Sequence, residues 1–89
     1  MQKLISMKNI GIEMQRKLES VGIDSPKKLI DIGAEKSFLC LKEHYPKICL
    51  VYLYVLEGAI NNIEYTKISN KRKSDLKEFY QYLKNNIKN

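Results

Sequence analysis

The 89 residues leave room for one domain and no second core, so residues 1–89 are read as a single unit. With 44% hydrophobic and 29% charged residues the composition is that of a globular chain, and the longest apolar run, the nine residues Ile48 to Leu56, is too short to cross a membrane. Sixteen Lys and Arg against ten Asp and Glu give a net charge of +6, a balance that favours nucleic acid or acidic membrane surfaces as partners, or else reflects only a Lys- and Ile-rich composition.

No alternating strand pattern stands out, and Gly11, Gly22, Pro26, Gly33, Pro46 and Gly58 punctuate a chain read as all helix. The start, "MQKLISMKN", carries no signal-peptide pattern and predicts a short helix with Leu4, Ile5 and Met7 inward. Asn9-Ile10-Gly11 is the first turn, built from the two residue types that tolerate a positive φ. A helix follows over about Ile12 to Val21, with Met14, Leu18 and Val21 on one face. Gly22 is its left-handed cap, and Ile23 packs back beneath it. Ser25 caps the next helix and Pro26 suits its first position, where a missing N–H costs nothing. Leu29, Ile30 and Ile32 are its inward residues, and Gly33 ends it.

Ala34 to His44 is the fourth helix, with Ala34, Phe38 and Leu41 on the core side and Pro46 as its stop. The fifth, about Lys47 to Asn61, is apolar nearly all round and is expected at the centre, with Gly58 and Ala59 admitting another helix closely. In "NNIEYTKIS" the residues Ile63, Tyr65 and Ile68 pin a connection. Ser69 caps the last helix, about Asn70 to Lys88, whose Leu76, Phe79, Tyr80, Leu83 and Ile87 form one apolar stripe.

The order Asn9-Ile10-Gly11, Leu18, Val21-Gly22-Ile23, Leu29, Gly33-Ala34, Leu41, Leu50, Leu53 and Leu56-Glu57-Gly58-Ala59 resembles the C-terminal domain of the TfoX (Sxy) competence regulators, over roughly Leu4 to Leu83. The resemblance implies a compact all-α domain of five to six helices containing a helix-hairpin-helix-like unit of the SAM/HhH type. It implies a bacterial role in competence regulation, which full-length members exercise with an additional N-terminal domain; a cytoplasmic location is expected from the cysteine usage.

Two candidate sites follow from the residues. In DNA-binding helix-hairpin-helix units a Gly-apolar-Gly turn at a helix N-terminus offers free N–H groups to a phosphate. Here Asn9, Ile10 and Gly11 form that turn, with Lys8, Arg16 and Lys17 nearby. Asn9 replaces the first glycine, and Glu13 opposes a phosphate while suiting the helix dipole. The turn is therefore either a phosphate cradle or a structural corner. The second candidate is the tail. Residues 67–89 hold seven basic and two acidic side chains, residues 1–66 nine and eight, so nearly all the charge excess is C-terminal. Lys73, Lys77, Lys84 and Lys88 fall on one helical strip, which reads either as a phosphate-following surface or as a solvated face. Tyr82 lies on the other side of that helix, so no aromatic interleaves with the lysines.

Cys40 and His44 stand at i, i+4 with Glu43 and Cys49 near in sequence, but two cysteines and one histidine fall short of four strong zinc ligands. No metal is expected. Cys40 in "FLCL" and Cys49 are read as free, buried thiols of a reducing compartment. Glu57, behind a long apolar run, is read as a partly buried acid bonding a neighbouring loop. No phosphate loop or nucleotide fingerprint occurs. The expectation is a non-enzymatic interaction module with no cofactor or small-molecule substrate, working through a protein partner or a second copy of itself. The alternative is sequence-independent DNA binding through Asn9, Ile10, Gly11, Arg16, Lys17, Lys73, Lys77, Lys84 and Lys88.

Overall fold

The computed structural model describes residues 3–87, with side chains through residue 85. Among them five α-helices follow in order: α1 (Ile12–Ser20), α2 (Pro26–Ile32), α3 (Ala34–His44), α4 (Leu50–Asn61) and α5 (Asn70–Ile87). Short 3-10 turns occupy Leu4–Ser6 and Tyr65–Lys67, and no strand occurs among the described residues. The all-α expectation holds, with the N-terminal segment contributing a single 3-10 turn.

Local chemistry explains most boundaries. Gly22 has φ +88°, the Ile23 N–H donates to the Leu18 carbonyl at 2.9 Å and the Gly22 N–H to Glu19 at 3.0 Å. This pair of bonds satisfies the orphan carbonyls at the end of α1 and turns Ile23 under the helix, where it is buried. The Ser25 hydroxyl accepts the Lys28 N–H at 3.2 Å, and Ser69 accepts that of Arg72 at 3.2 Å, so both serines cap as expected. Gly33, at φ +89°, ends α2 and opens α3 without an intervening loop.

The core is one cluster. Leu18, Leu29, Phe38, Leu41, Leu53 and Leu56 are fully buried, and α5 closes over them with Leu76 and Leu83. Tyr80 meets Phe38 edge to face at 6.0 Å, fixing α5 against α3. The side chain of Ile87, the last member of the expected stripe, and the whole of Lys88 lie outside the described residues.

Several expectations need correction. α4 begins at Leu50, three residues late, because the preceding loop is held in another conformation. The Lys42 ammonium reaches the Pro46 carbonyl at 2.6 Å, and the Ile48 N–H bonds Tyr45 at 3.1 Å. Ile5 and Ile30 point outward, 43% and 51% exposed. A three-residue turn and a seven-residue helix each bury one side chain fully, Leu4 and Leu29 respectively. Ile63 and Tyr65 are also exposed, so the connection after α4 is pinned by Ile68 and by hydrogen bonds instead. Both thiols are free, but Cys49 is exposed and Cys40 half-buried. No helix among the described residues is long and apolar enough to cross a membrane.

Candidate functional site

The Asn9 turn is a corner joining the N-terminus to the end of α4. Asn9 has φ +71°, and its side-chain amide donates to the Ile63 carbonyl at 3.0 Å and to Val55 at 3.5 Å. Its Oδ1 accepts the Tyr65 N–H at 3.3 Å. Asn62, at φ +58°, reverses the chain, and the Ile63 N–H closes on the Gly58 carbonyl at 2.9 Å. Gly58 is glycine because this corner lies against it: a Cβ there would meet the Asn9 amide nitrogen, and the Ile63 carbonyl at 2.6 Å. The close approach at Gly58 is therefore by the chain's own corner, not by another helix. Ile10 is buried and Asn9 half-buried, so of the three turn residues Gly11, the N-cap of α1, is the exposed one.

The segments that meet at this corner carry the exposed apolar residues Ile5, Ile12, Ile63 and Tyr65. The Ile5 N–H bonds the Gln15 side chain at 2.9 Å, which ties the backbone at Ile5 to α1. Asn9, three residues before Ile12, holds the backbone at Ile63 and Tyr65.

The basic residues divide between elements. Arg16 is exposed on α1, while the Lys17 ammonium stands over the Tyr45 ring at 5.3 Å and 3.8 Å from Glu13. On α5, Lys73 is half-buried with its ammonium 3.4 Å from the Thr66 carbonyl, and Lys84 lies 5.7 Å above the Tyr80 ring. Lys77 is exposed between them. α1 packs on α3 and the N-terminal turn, whereas α5 packs on α4 and meets α3 through Tyr80 and Arg72, so the candidate cations are carried by two helices with different packing partners.

The strongest electrostatic feature escaped the sequence reading. Arg72 grips Glu57 with two bonds, Nε to Oε2 at 2.8 Å and NH2 to Oε1 at 3.0 Å, and reaches Glu35 at 3.0 Å with the same NH2. Asn61 adds a bond to Glu57 Oε2 at 2.9 Å. Glu57 is 8% exposed, and its partner is a helix, α5, not a neighbouring loop. The hydrogen bonds that Arg72 donates to Glu57, and then to Glu35, hold the guanidinium charged and push its pKa above the ordinary value against the opposing effect of burial. The planar fork of arginine fits this bidentate geometry and lysine does not. Two cues stood in the sequence: an acid after a long apolar run, and an arginine in a tail otherwise basic through lysine. The cluster braces α3, α4 and α5, and its polar atoms face one another.

An open depression lies between Lys17 and the 44–48 loop, with Tyr52 of α4 in its lining. Among the described residues no three His, Cys, Asp or Glu side chains group in a way that could hold a metal ion.

The comparisons with known proteins give the family. The chain is similar to a Listeria monocytogenes protein, described as uncharacterised, whose triclinic crystal structure superposes with a TM-score of 0.91 at 34% identity, covering 93% of this chain and 94% of that one. It is also similar to a Listeria monocytogenes protein of unknown function in a tetragonal form, with a TM-score of 0.87 at 35% identity over 90% of this chain and 98% of that one. No curated protein matches it. The family model for the TfoX C-terminal domain matches residues 1–80, the stretch that contains the Asn9 corner and the Arg72 brace, and the chain belongs to that family.

Proposed function

We propose that this domain is a non-enzymatic regulatory module of the TfoX C-terminal kind, acting by contact with a protein partner or a second copy of itself. The observation that carries this reading is the set of exposed apolar side chains at the Asn9 corner: Ile5 at 43%, Ile12 at 50%, Ile63 at 36% and Tyr65 at 38%. Apolar side chains left exposed on segments that hydrogen bonds tie together supply material for the core of an interface. The polar groups nearest to a buried charged site, Arg72, Glu57 and Glu35, are committed to one another and support the frame.

Sedimentation velocity over a wide concentration range tests the self-association form. The expected result is a concentration-dependent rise in mean mass that Ile12→Asp with Ile63→Asp abolishes while the helical spectrum is kept. Asp at the first position of α1 is tolerated by the helix dipole. A strict monomer that also captures no partner counts against the proposal.

One observation favours a second reading, sequence-independent DNA binding: Lys73, Lys77 and Lys84 share a strip of α5, and Lys77 is exposed there with no carboxylate partner among the described residues. Gly11, Arg16 and Lys17 would supply a second contact from α1, with Asn9 and Ile10 shaping the turn. A random duplex should bind at 50 mM salt and lose about tenfold or more in affinity at 200 mM. Lys77→Glu with Lys84→Glu should abolish that binding without unfolding the chain. No detectable binding at the lower salt removes this reading.

A further inference from the structure

The depression beside α1 has a chemistry of its own. Its lining contains Lys17, His44 and Lys47 and no carboxylate. The nearest acid contact is Glu13, 3.8 Å from the Lys17 ammonium, but that side chain is 77% exposed on the same helix face, an arrangement worth little. The apolar part consists of Ile48, which is buried, and of Tyr45 and Tyr52, which are half-buried.

The walls are held before anything binds. The Tyr45 hydroxyl and the Ser20 hydroxyl share a hydrogen bond of 2.8 Å, and the Lys17 ammonium sits over the Tyr45 ring. The Lys42 ammonium ties down the Pro46 carbonyl at 2.6 Å from behind. Side chains and loop therefore lose little freedom on binding.

Resting on the reading of the chain as an interaction module, we propose that this depression docks an acidic, amphipathic peptide segment of a protein partner. Carboxylates of the segment pair with Lys17 and Lys47, and an apolar side chain between them covers the half-buried rings of Tyr45 and Tyr52. An apolar floor with a cationic rim matches the anatomy of a small protein interface. The site is too open to enclose a small molecule, which needs most of its surface covered. For a nucleic-acid strand the Tyr45 face beneath the Lys17 ammonium is closed to base stacking, and the oligo-dT arm of the test below weighs that occupant.

The test is a titration of the isotopically labelled full chain, followed by amide chemical shifts. The probe is a synthetic peptide of two leucines flanked by two glutamates on each side. Shifts confined to Lys17, Tyr45, Lys47, Ile48, Tyr52 and their neighbours are expected, with affinity falling about fivefold between 50 and 200 mM salt. Lys47→Glu should weaken binding about tenfold with an unchanged melting curve, since Lys47 is exposed. The same peptide with lysines for glutamates should give no shifts. Absence of shifts with the acidic probe overturns the proposal, as does an oligo-dT probe that binds here more tightly than the peptide. Peptide shifts centred on Ile12 and Ile63 also overturn it, while leaving the interaction-module reading standing. That reading falls separately, by the sedimentation and capture results.

Discussion

Arg72→Ala is expected to lower the unfolding free energy by about 2–3 kcal/mol and the melting temperature by about 10–20 °C. The variant leaves Glu57, 8% exposed, with Asn61 as its remaining side-chain partner. An uncompensated buried charge costs about 3–5 kcal/mol, and the lower figure here reflects the third of the Arg72 side chain that water still reaches. The same deletion unties Glu35, so α5 loses its attachment to α3 and α4 at one residue. Arg72→Lys should recover less than half of the loss, because one ammonium cannot make two parallel bonds to Glu57 and a third to Glu35. Glu57→Gln combined with Arg72→Gln should cost less than the sum of the single changes, as removing both charges removes the unpaired state. Lys71→Ala is the control. Its pair with Asp75 is exposed on one helix, and its loss should stay within about 0.5 kcal/mol. Chemical denaturation distinguishes the two cases, and an Arg72→Ala variant as stable as Lys71→Ala would show that the brace carries no stability.

Arg72 also marks where the sequence stops being informative. Gly22, Gly33, Ser25 and Ser69 act within four residues of themselves, and each ends or caps a helix where its local chemistry predicts. The strip of Lys73, Lys77 and Lys84 was legible for the same reason, being a consequence of helical period alone. Arg72 precedes Lys73 by one residue, is rotated about 100° from it, and turns inward to Glu57 and Glu35. Those partners are 15 and 37 residues away, beyond any local pattern. Asn9 is similar: its positive φ followed from its residue type, but its bonds to Val55, Ile63 and Tyr65 depend on the tertiary fold. The apolar period also overstated burial. Ile30 has the residue type of the core, but in a helix of seven residues Leu29 takes the fully buried position and Ile30 faces solvent. The depression beside Lys17 was invisible for a related reason, since α1, the 44–48 loop and α4 meet there only in the folded chain.

Gly58→Ala should reverse the usual sign of its class. In a helix interior, alanine is favoured over glycine by about 1 kcal/mol. Here the added Cβ meets the Asn9 amide and the Ile63 carbonyl, the latter at 2.6 Å, with the Tyr65 Cα at 3.3 Å. The carbonyl belongs to the backbone that closes α4, and the Asn9 amide is the donor holding that backbone in place. Neither can retreat without opening the corner, so the overpacking cost exceeds the helix-propensity gain and a net loss of about 2 kcal/mol is expected. Asn9→Ala separates the two obstacles. Alone it should cost about 1–3 kcal/mol by leaving the Ile63 carbonyl and the Tyr65 N–H without their side-chain partner. In that background Gly58→Ala should cost less than in the native chain, because one obstacle is gone, yet still destabilise, because the carbonyl remains. Equal costs in the two backgrounds would show that Asn9 does not press on α4, and a gain in stability from Gly58→Ala in the native chain would show that the corner is not closely packed. If the corner opens as described, the backbone at Ile63 is released from Asn9, so Gly58→Ala should also weaken any association that Ile12→Asp with Ile63→Asp abolishes.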